Sequence, residues 1–141
     1  MNKKKNVYIS GAFDILHVGH LDILEFAKSL GDTLIVGVNT DEMVKIYKRP
    51  EPISPYSHRK RIVASLKCID RVIPHTALDE IEMLDKYRID IVVVGPEWGE
   101  IKGQEIRKKY CEIKNIKIVV YSHPMKKIST TKLIRRVQGK W

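Results

Sequence analysis

The 141-residue chain is short of several things, and each shortage excludes a class of protein. It has two cysteines, Cys68 and Cys111, far apart and without C-x-x-C spacing, which rules against a disulfide scaffold and a zinc ribbon. No apolar run approaches the ~18 residues of a membrane span. Only Val7 to Ile9 follow the basic start as an apolar stretch, too little for a signal peptide. Eight glycines and six prolines are too few for a collagen- or mucin-like repeat, and aliphatic residues are too many for disorder. The sequences G-x-G-x-x-G, G-x-x-x-x-G-K-[ST] and G-x-S-x-G are all missing, so dinucleotide, Walker-type and hydrolase-elbow sites lack support. What is left is a cytoplasmic, soluble, single-domain protein over residues 1–141, with its core from 6 to 138.

Acidic residues are in the minority: 17 Asp plus Glu against 26 Lys plus Arg, a net charge of +9. That balance favours anionic partners. The basic residues are spread along the chain and no nucleic-acid-binding motif accompanies them, which points to phosphorylated small molecules rather than nucleic acid or a membrane.

The patterning alternates short β-branched runs with longer helical stretches. Strands are expected at 6–10, 33–38, 71–74, 89–94 and 116–121. In the first long helix, Val18 to Leu30, apolar Leu21, Leu24, Ala27 and Leu30 recur at three-residue steps. Gly31 is expected to stop it from the usual post-helix glycine position. Further helices are expected after Thr40, over 57–67, 78–87, 104–111 and 130–138. Between them, Lys48 to Tyr56 carries three prolines and reads as a long loop. Strand–helix alternation throughout predicts an α/β fold, a Rossmann-like parallel sheet with helices on both faces. Ligands of such sheets bind beyond the carboxyl ends of the strands.

Unusual residues stand at those ends. After the first strand comes Gly11-Ala12-Phe13-Asp14-Ile15-Leu16-His17-Val18-Gly19-His20. Two imidazoles three apart at a helix start project from one face. Gly19 leaves room for a ligand, and the amides and positive dipole end there favour a phosphate. His-x-x-His is also compatible with a metal, but no His, Cys or acidic cluster near it in sequence completes a shell. Ser129, Thr130 and Thr131 open the last helix as a second anion cradle, or as a plain N-cap. Ser57 to Arg61 is a phosphate-binding candidate or a solvated basic face, and Trp98 in Gly95-Pro96-Glu97-Trp98 covers a base or simply packs.

Together these residues resemble the nucleotidyltransferase superfamily. His17-Val18-Gly19-His20 is similar to its H-x-G-H signature and Ile128-Ser129-Thr130-Thr131 to its C-terminal I-S-T-T motif. The likeness runs from about Val7 to Val137, and the small bacterial glycerol-3-phosphate cytidylyltransferases look nearest. Two positions depart from their pattern: Pro124 stands in place of an arginine, and Gly95-Pro96-Glu97-Trp98 in place of Gly-Asp-Asp-Trp.

The resemblance implies transfer of a nucleotidyl group from CTP to glycerol 3-phosphate with loss of pyrophosphate. ATP as donor, and a sugar 1-phosphate, phosphoethanolamine, phosphocholine or FMN as acceptor, stay open, as does a domain that only binds nucleotide. It also implies Mg²⁺ carried with the triphosphate, no protein metal cage, and a homodimer. His17, His20 and Lys48 are the implied catalytic residues. Gly11, Ala12, Phe13, Gly19, Gly95, Glu97, Trp98, Ile128, Ser129, Thr130 and Thr131 are assigned to the nucleotide. Asp14, Asp41, Lys45, Arg59 and Lys67 are assigned to the acceptor.

Overall fold

The computed structural model describes residues 3–46, 51–76, 80–95, 104–122 and 129–140. Of the expected site residues, Lys48, Glu97, Trp98 and Ile128 lie outside these segments. Among the described residues the strands are β1 (Asn6–Gly11), β2 (Thr33–Asn39), β3 (Arg71–His75), β4 (Ile91–Val94) and β5 (Lys117–Val120). The helices are α1 (Val18–Ser29), α2 (Asp41–Ile46), α3 (Tyr56–Ala64), α4 (Ile81–Lys86), α5 (Gln104–Lys114) and α6 (Thr130–Val137). Each expected element is present, with shifts of a few residues at its ends.

All strand pairs are parallel and the order is β3-β2-β1-β4-β5. The α/β reading therefore holds. Chain progress reverses between β1 and β4, and such a switch point leaves a crevice at the strands' carboxyl ends.

Alternation along the strands divides the core in two. Val7, Ile9, Val36, Val38 and Val93 meet Leu24 and Ala27 of α1 and Val63 of α3 on one face. Tyr8, Ile35, Ile73, Val92 and Val94 meet Leu84 of α4 and Cys111 of α5 on the other.

Two glycines exist for close approach. A Cβ on Gly31 would stand 2.7 Å from Val7 Cγ2 and 2.8 Å from the Lys5 carbonyl. Gly31 does not have the left-handed φ expected of a helix-ending glycine, which among described glycines belongs to Gly139 alone. Its place is fixed by crowding against the start of β1. A Cβ on Gly37 would collide with the Tyr8 hydroxyl, because that ring crosses β2 to reach His75.

Candidate active site

At the carboxyl ends of β1 and β4 lies a cavity of about 630 Å³. The loop after β1 forms one wall, and its backbone is strained. Phe13 and Ile15 have φ of 51° and 47°, which bulky and β-branched side chains rarely adopt. Three tethers hold it there. The Asp14 carboxylate accepts from the amides of Ile53 (2.7 Å) and Ser54 (3.0 Å). The Asp14 carbonyl accepts from Thr130 Oγ1 at 2.8 Å, joining α6 to β1. The Ala12 carbonyl accepts from Arg59 at 2.6 Å.

α1 begins at the far side of this loop, with His17 in extended conformation as its N-cap. His17 Nδ1 accepts from the Gly19 amide at 3.0 Å, and His20 Nδ1 accepts from the His17 amide at 3.2 Å. With Nδ1 an acceptor in both rings, the proton of each neutral imidazole is on Nε2. The rings lie 3.9 Å apart between centroids, and Phe13 meets His20 edge-on at 5.6 Å. Burial, then the neighbouring His17, lower the pKa of His20 to about 4, with Asp14 opposing weakly. At neutral pH His20 is an uncharged hydrogen-bond donor.

Across the cavity, α6 starts with Ser129 as N-cap, its Oγ accepting from the Lys132 amide at 3.1 Å. Ser129 thus carries the capping role, while Thr130 and Thr131 line the cavity. Neither α1 nor α6 has an acidic residue in its first turn, so no side chain of that turn neutralises either positive end. Two helix starts and a neutral imidazole donor around one cavity can hold a polyphosphate and receive charge as it builds on phosphoryl oxygens.

The structure brings Gly11, Ala12, Phe13, Asp14, His20, Gly95, Thr130 and Thr131 together around the cavity, with His17 and the buried Gly19 forming the α1 start beside it. It moves others out. Arg59 is 1% exposed, and its nitrogens donate to the Ser54 carbonyl (2.9 Å), the Ala12 carbonyl and the Asp41 carboxylate (2.7 Å). Arg59, expected to hold the acceptor phosphate, is in this structure a strut under the β1 loop and the 51–54 segment. Asp41 is the other end of that strut through Oδ1, with its side chain still partly exposed. Lys67 lies in the turn before β3, at the amino ends of the strands, where Asp70 bonds back to Leu34 at the start of β2. That is the wrong edge of the sheet for this cavity. Lys45, exposed on α2, pairs with Glu51 at 2.9 Å, which holds its ammonium pKa above the ordinary value.

A buried polar cluster went unread in the sequence. Glu80, in left-handed conformation (φ 55°), lies 2.8 Å from both His75 Nδ1 and Arg107. Burial pushes the Glu80 carboxyl up, but Arg107, His75 and Ser10 outweigh it, so its pKa is below the usual value. Arg107 and Gln104 of α5 border the cavity together with Asn39 at the end of β2. One signal was available: Gln104, Arg107 and Cys111 fall on a single helix face, the face α5 buries.

The chain matches the cytidylyltransferase-like family over residues 8–136. It is 38% identical over 139 residues to an FAD synthase of Thermococcus onnurineus (strain NA1), covering 96% of this chain and 92% of that protein. It is equally 38% identical over 131 residues to a glycerol-3-phosphate cytidylyltransferase of Bacillus spizizenii, covering 92% and 94%. Among solved structures, a lipopolysaccharide core biosynthesis protein of Thermoplasma volcanium superposes with a TM-score of 0.75 at 30% identity, covering 86% of this chain and 98% of that one. A sheet of this order, the paired imidazoles at its switch point and a match spanning nearly its whole length make this chain a member of the cytidylyltransferase-like nucleotidyltransferase family.

Proposed function

We propose that this chain joins the α-phosphate of CTP to glycerol 3-phosphate, giving CDP-glycerol and pyrophosphate. The observation that carries the reaction class is the pair His17 and His20, whose capping bonds leave Nε2 of each neutral ring as the proton-bearing nitrogen, with His20 on the cavity wall and His17 at the α1 start beside it. An acceptor phosphate oxygen attacks Pα, the bond from Pα to the bridging oxygen breaks, and pyrophosphate departs with that electron pair. No covalent bond to the protein forms. The work is positioning and charge stabilisation. His20, neutral through burial, donates to phosphoryl oxygens without a fixed charge that would hold the product. Thr130, Thr131 and the α6 amides receive the β- and γ-phosphates.

Mg²⁺ enters as part of the triphosphate substrate. Among the described residues no group of three His, Cys, Asp or Glu is disposed to hold a metal, and the Asp14 carboxylate is engaged by two amides. Nucleotide oxygens and water are its expected ligands. A cytoplasmic setting fits the free thiols of Cys68 and Cys111.

One observation favours a second reading, ATP with FMN. A relative that is 38% identical over 139 residues is an FAD synthase, and the cavity has apolar walls from Ile9, Ile53, Val93 and Val94 suited to a flat ring. Pyrophosphate release measured with CTP and ATP, each against glycerol 3-phosphate and FMN, decides between them. Release with CTP and glycerol 3-phosphate supports the first reading. Release confined to ATP and FMN replaces it with the second.

A further inference from the structure

The cavity spans both faces of the sheet. His17 and His20 belong to α1, which packs on the face of Val7 and Ile9. Ser10 and Asn39, two residues beyond Tyr8 and Gly37 on β1 and β2, point to the opposite face, where α5 packs and supplies Gln104 and Arg107. In phosphoryl transfer the attacking and leaving oxygens stand roughly in line. If pyrophosphate departs among the helix starts on the α1 side, the acceptor enters from the Asn39 side.

That wall is polar, buried and incompletely satisfied. Asn39 is 6% exposed, and its Oδ1 has no hydrogen-bond partner among the described residues. A buried amide oxygen left so is costly, and a ligand that donates to it recovers that cost. Beside it, Arg107 is 3% exposed and fixed by Glu80, which His75 backs in turn. Glu80 offsets the Arg107 charge, so this wall is suited to neutral polar groups more than to a second phosphate. A hydroxyl is the group that fits, since it donates and accepts and satisfies the Asn39 amide in either orientation.

We infer that Asn39, with Gln104 and Arg107 on the same wall, is a specificity subsite for the hydroxyl-bearing chain of the acceptor, and that the acceptor is therefore a polyol monophosphate. This rests on the transfer reading above. It narrows the open acceptors to those with hydroxyls next to the phosphate, of which glycerol 3-phosphate and the ribityl chain of FMN are open-chain polyols and a sugar 1-phosphate a cyclic one, and sets aside phosphocholine and phosphoethanolamine.

The test is calorimetric titration of the full chain loaded with Mg²⁺ and an α,β-methylene triphosphate of cytidine or adenosine, whose bridging carbon prevents pyrophosphate release. Glycerol 3-phosphate, FMN, propyl phosphate and phosphocholine are titrated in turn. Propyl phosphate has the three carbons of glycerol phosphate and no hydroxyl. At least one polyol phosphate is expected to bind about tenfold or more tighter than propyl phosphate. Which of the two does so identifies the polyol. In Asn39→Leu the preference is expected to fall to about one with nucleotide binding unchanged; the wild-type comparison stands even if that variant fails to fold. Equal binding of propyl phosphate, tighter binding of phosphocholine, no binding of either polyol phosphate, or full preference in folded Asn39→Leu overturns the inference. Pyrophosphate release is scored separately. Turnover without hydroxyl preference keeps the transfer reading and removes the subsite, and preference without turnover does the reverse.

Discussion

The Nδ1 of His17 accepts the Gly19 amide proton at 3.0 Å, so one side chain both starts α1 and sets which of its own nitrogens bears the proton. His20 repeats the device one turn on by accepting from the His17 amide. Structural capping and presentation of a donor to a phosphate are thus a single arrangement. Substituting alanine for either histidine would confuse the two roles, and the variants below separate them.

Acid should destabilise the fold through His20. The unfolded ring titrates near 6.5 and the folded one near 4, so between these values the unfolded chain binds more protons. Stability from this group is complete above about pH 6.5 and is lost as pH falls toward 4. The loss is at most about 3 kcal/mol, less what solvent around a partly covered ring recovers. Urea unfolding of wild type and His20→Asn at several pH values isolates it from the carboxylates. The stability of wild type relative to His20→Asn should fall steadily below pH 6.5. A pH-independent difference would contradict the assignment.

Arg59 should behave as a structural residue. Arg59→Met leaves the Ala12 and Ser54 carbonyls and one Asp41 oxygen without their donor. The expected loss is roughly 3 kcal/mol, a large part of the stability of a domain this size. Arg59→Lys should recover only part of it, since an ammonium cannot span three acceptors in different directions. Denaturant midpoints check both. Wild-type stability with a raised KM for the acceptor alone would restore the phosphate-binding role.

Gly37 should not tolerate a methyl group. Gly37→Ala places Cβ against the Tyr8 hydroxyl and close to the His75 Cβ at 3.3 Å, in a layer where Tyr8 is fully buried. Overpacking of this kind costs about 1–3 kcal/mol. Removing the hydroxyl in Gly37→Ala/Tyr8→Phe should return part of the loss, as a thermal melt of the two variants will show. Identical melting of the single and double variants would mean that the ring is not what the methyl group meets.

Much of this architecture was legible in the sequence because β-branched runs and three-residue apolar steps are local signals. They placed every strand and helix of the described residues, and parallel connectivity put the segments of His17 to His20 and Ser129 to Thr131 at one end of the sheet. The differences share a cause. Arg59 sits among Lys60 and Arg61, so in sequence it reads as part of a solvated face, yet it turns inward to carbonyls on other segments. Lys67 looks like one more basic residue near a site, and only the sheet shows it at the opposite edge. The cluster of His75, Glu80 and Arg107 joins three elements distant in the chain, and no spacing rule brings them together. Gly31 has the right residue type for a helix stop, but its reason is crowding at Val7 and Lys5.

The most direct test of the central claim is His17→Asn, with unfolding and pyrophosphate release measured on the same sample. Asparagine still caps α1 through its side-chain oxygen, so stability should stay within about 1 kcal/mol of wild type. The distal donor is gone, so release from the productive nucleotide and acceptor should fall roughly 10²–10³-fold. A folded His17→Asn protein with wild-type turnover would show that the imidazole only starts the helix, and the catalytic reading of this site would be wrong.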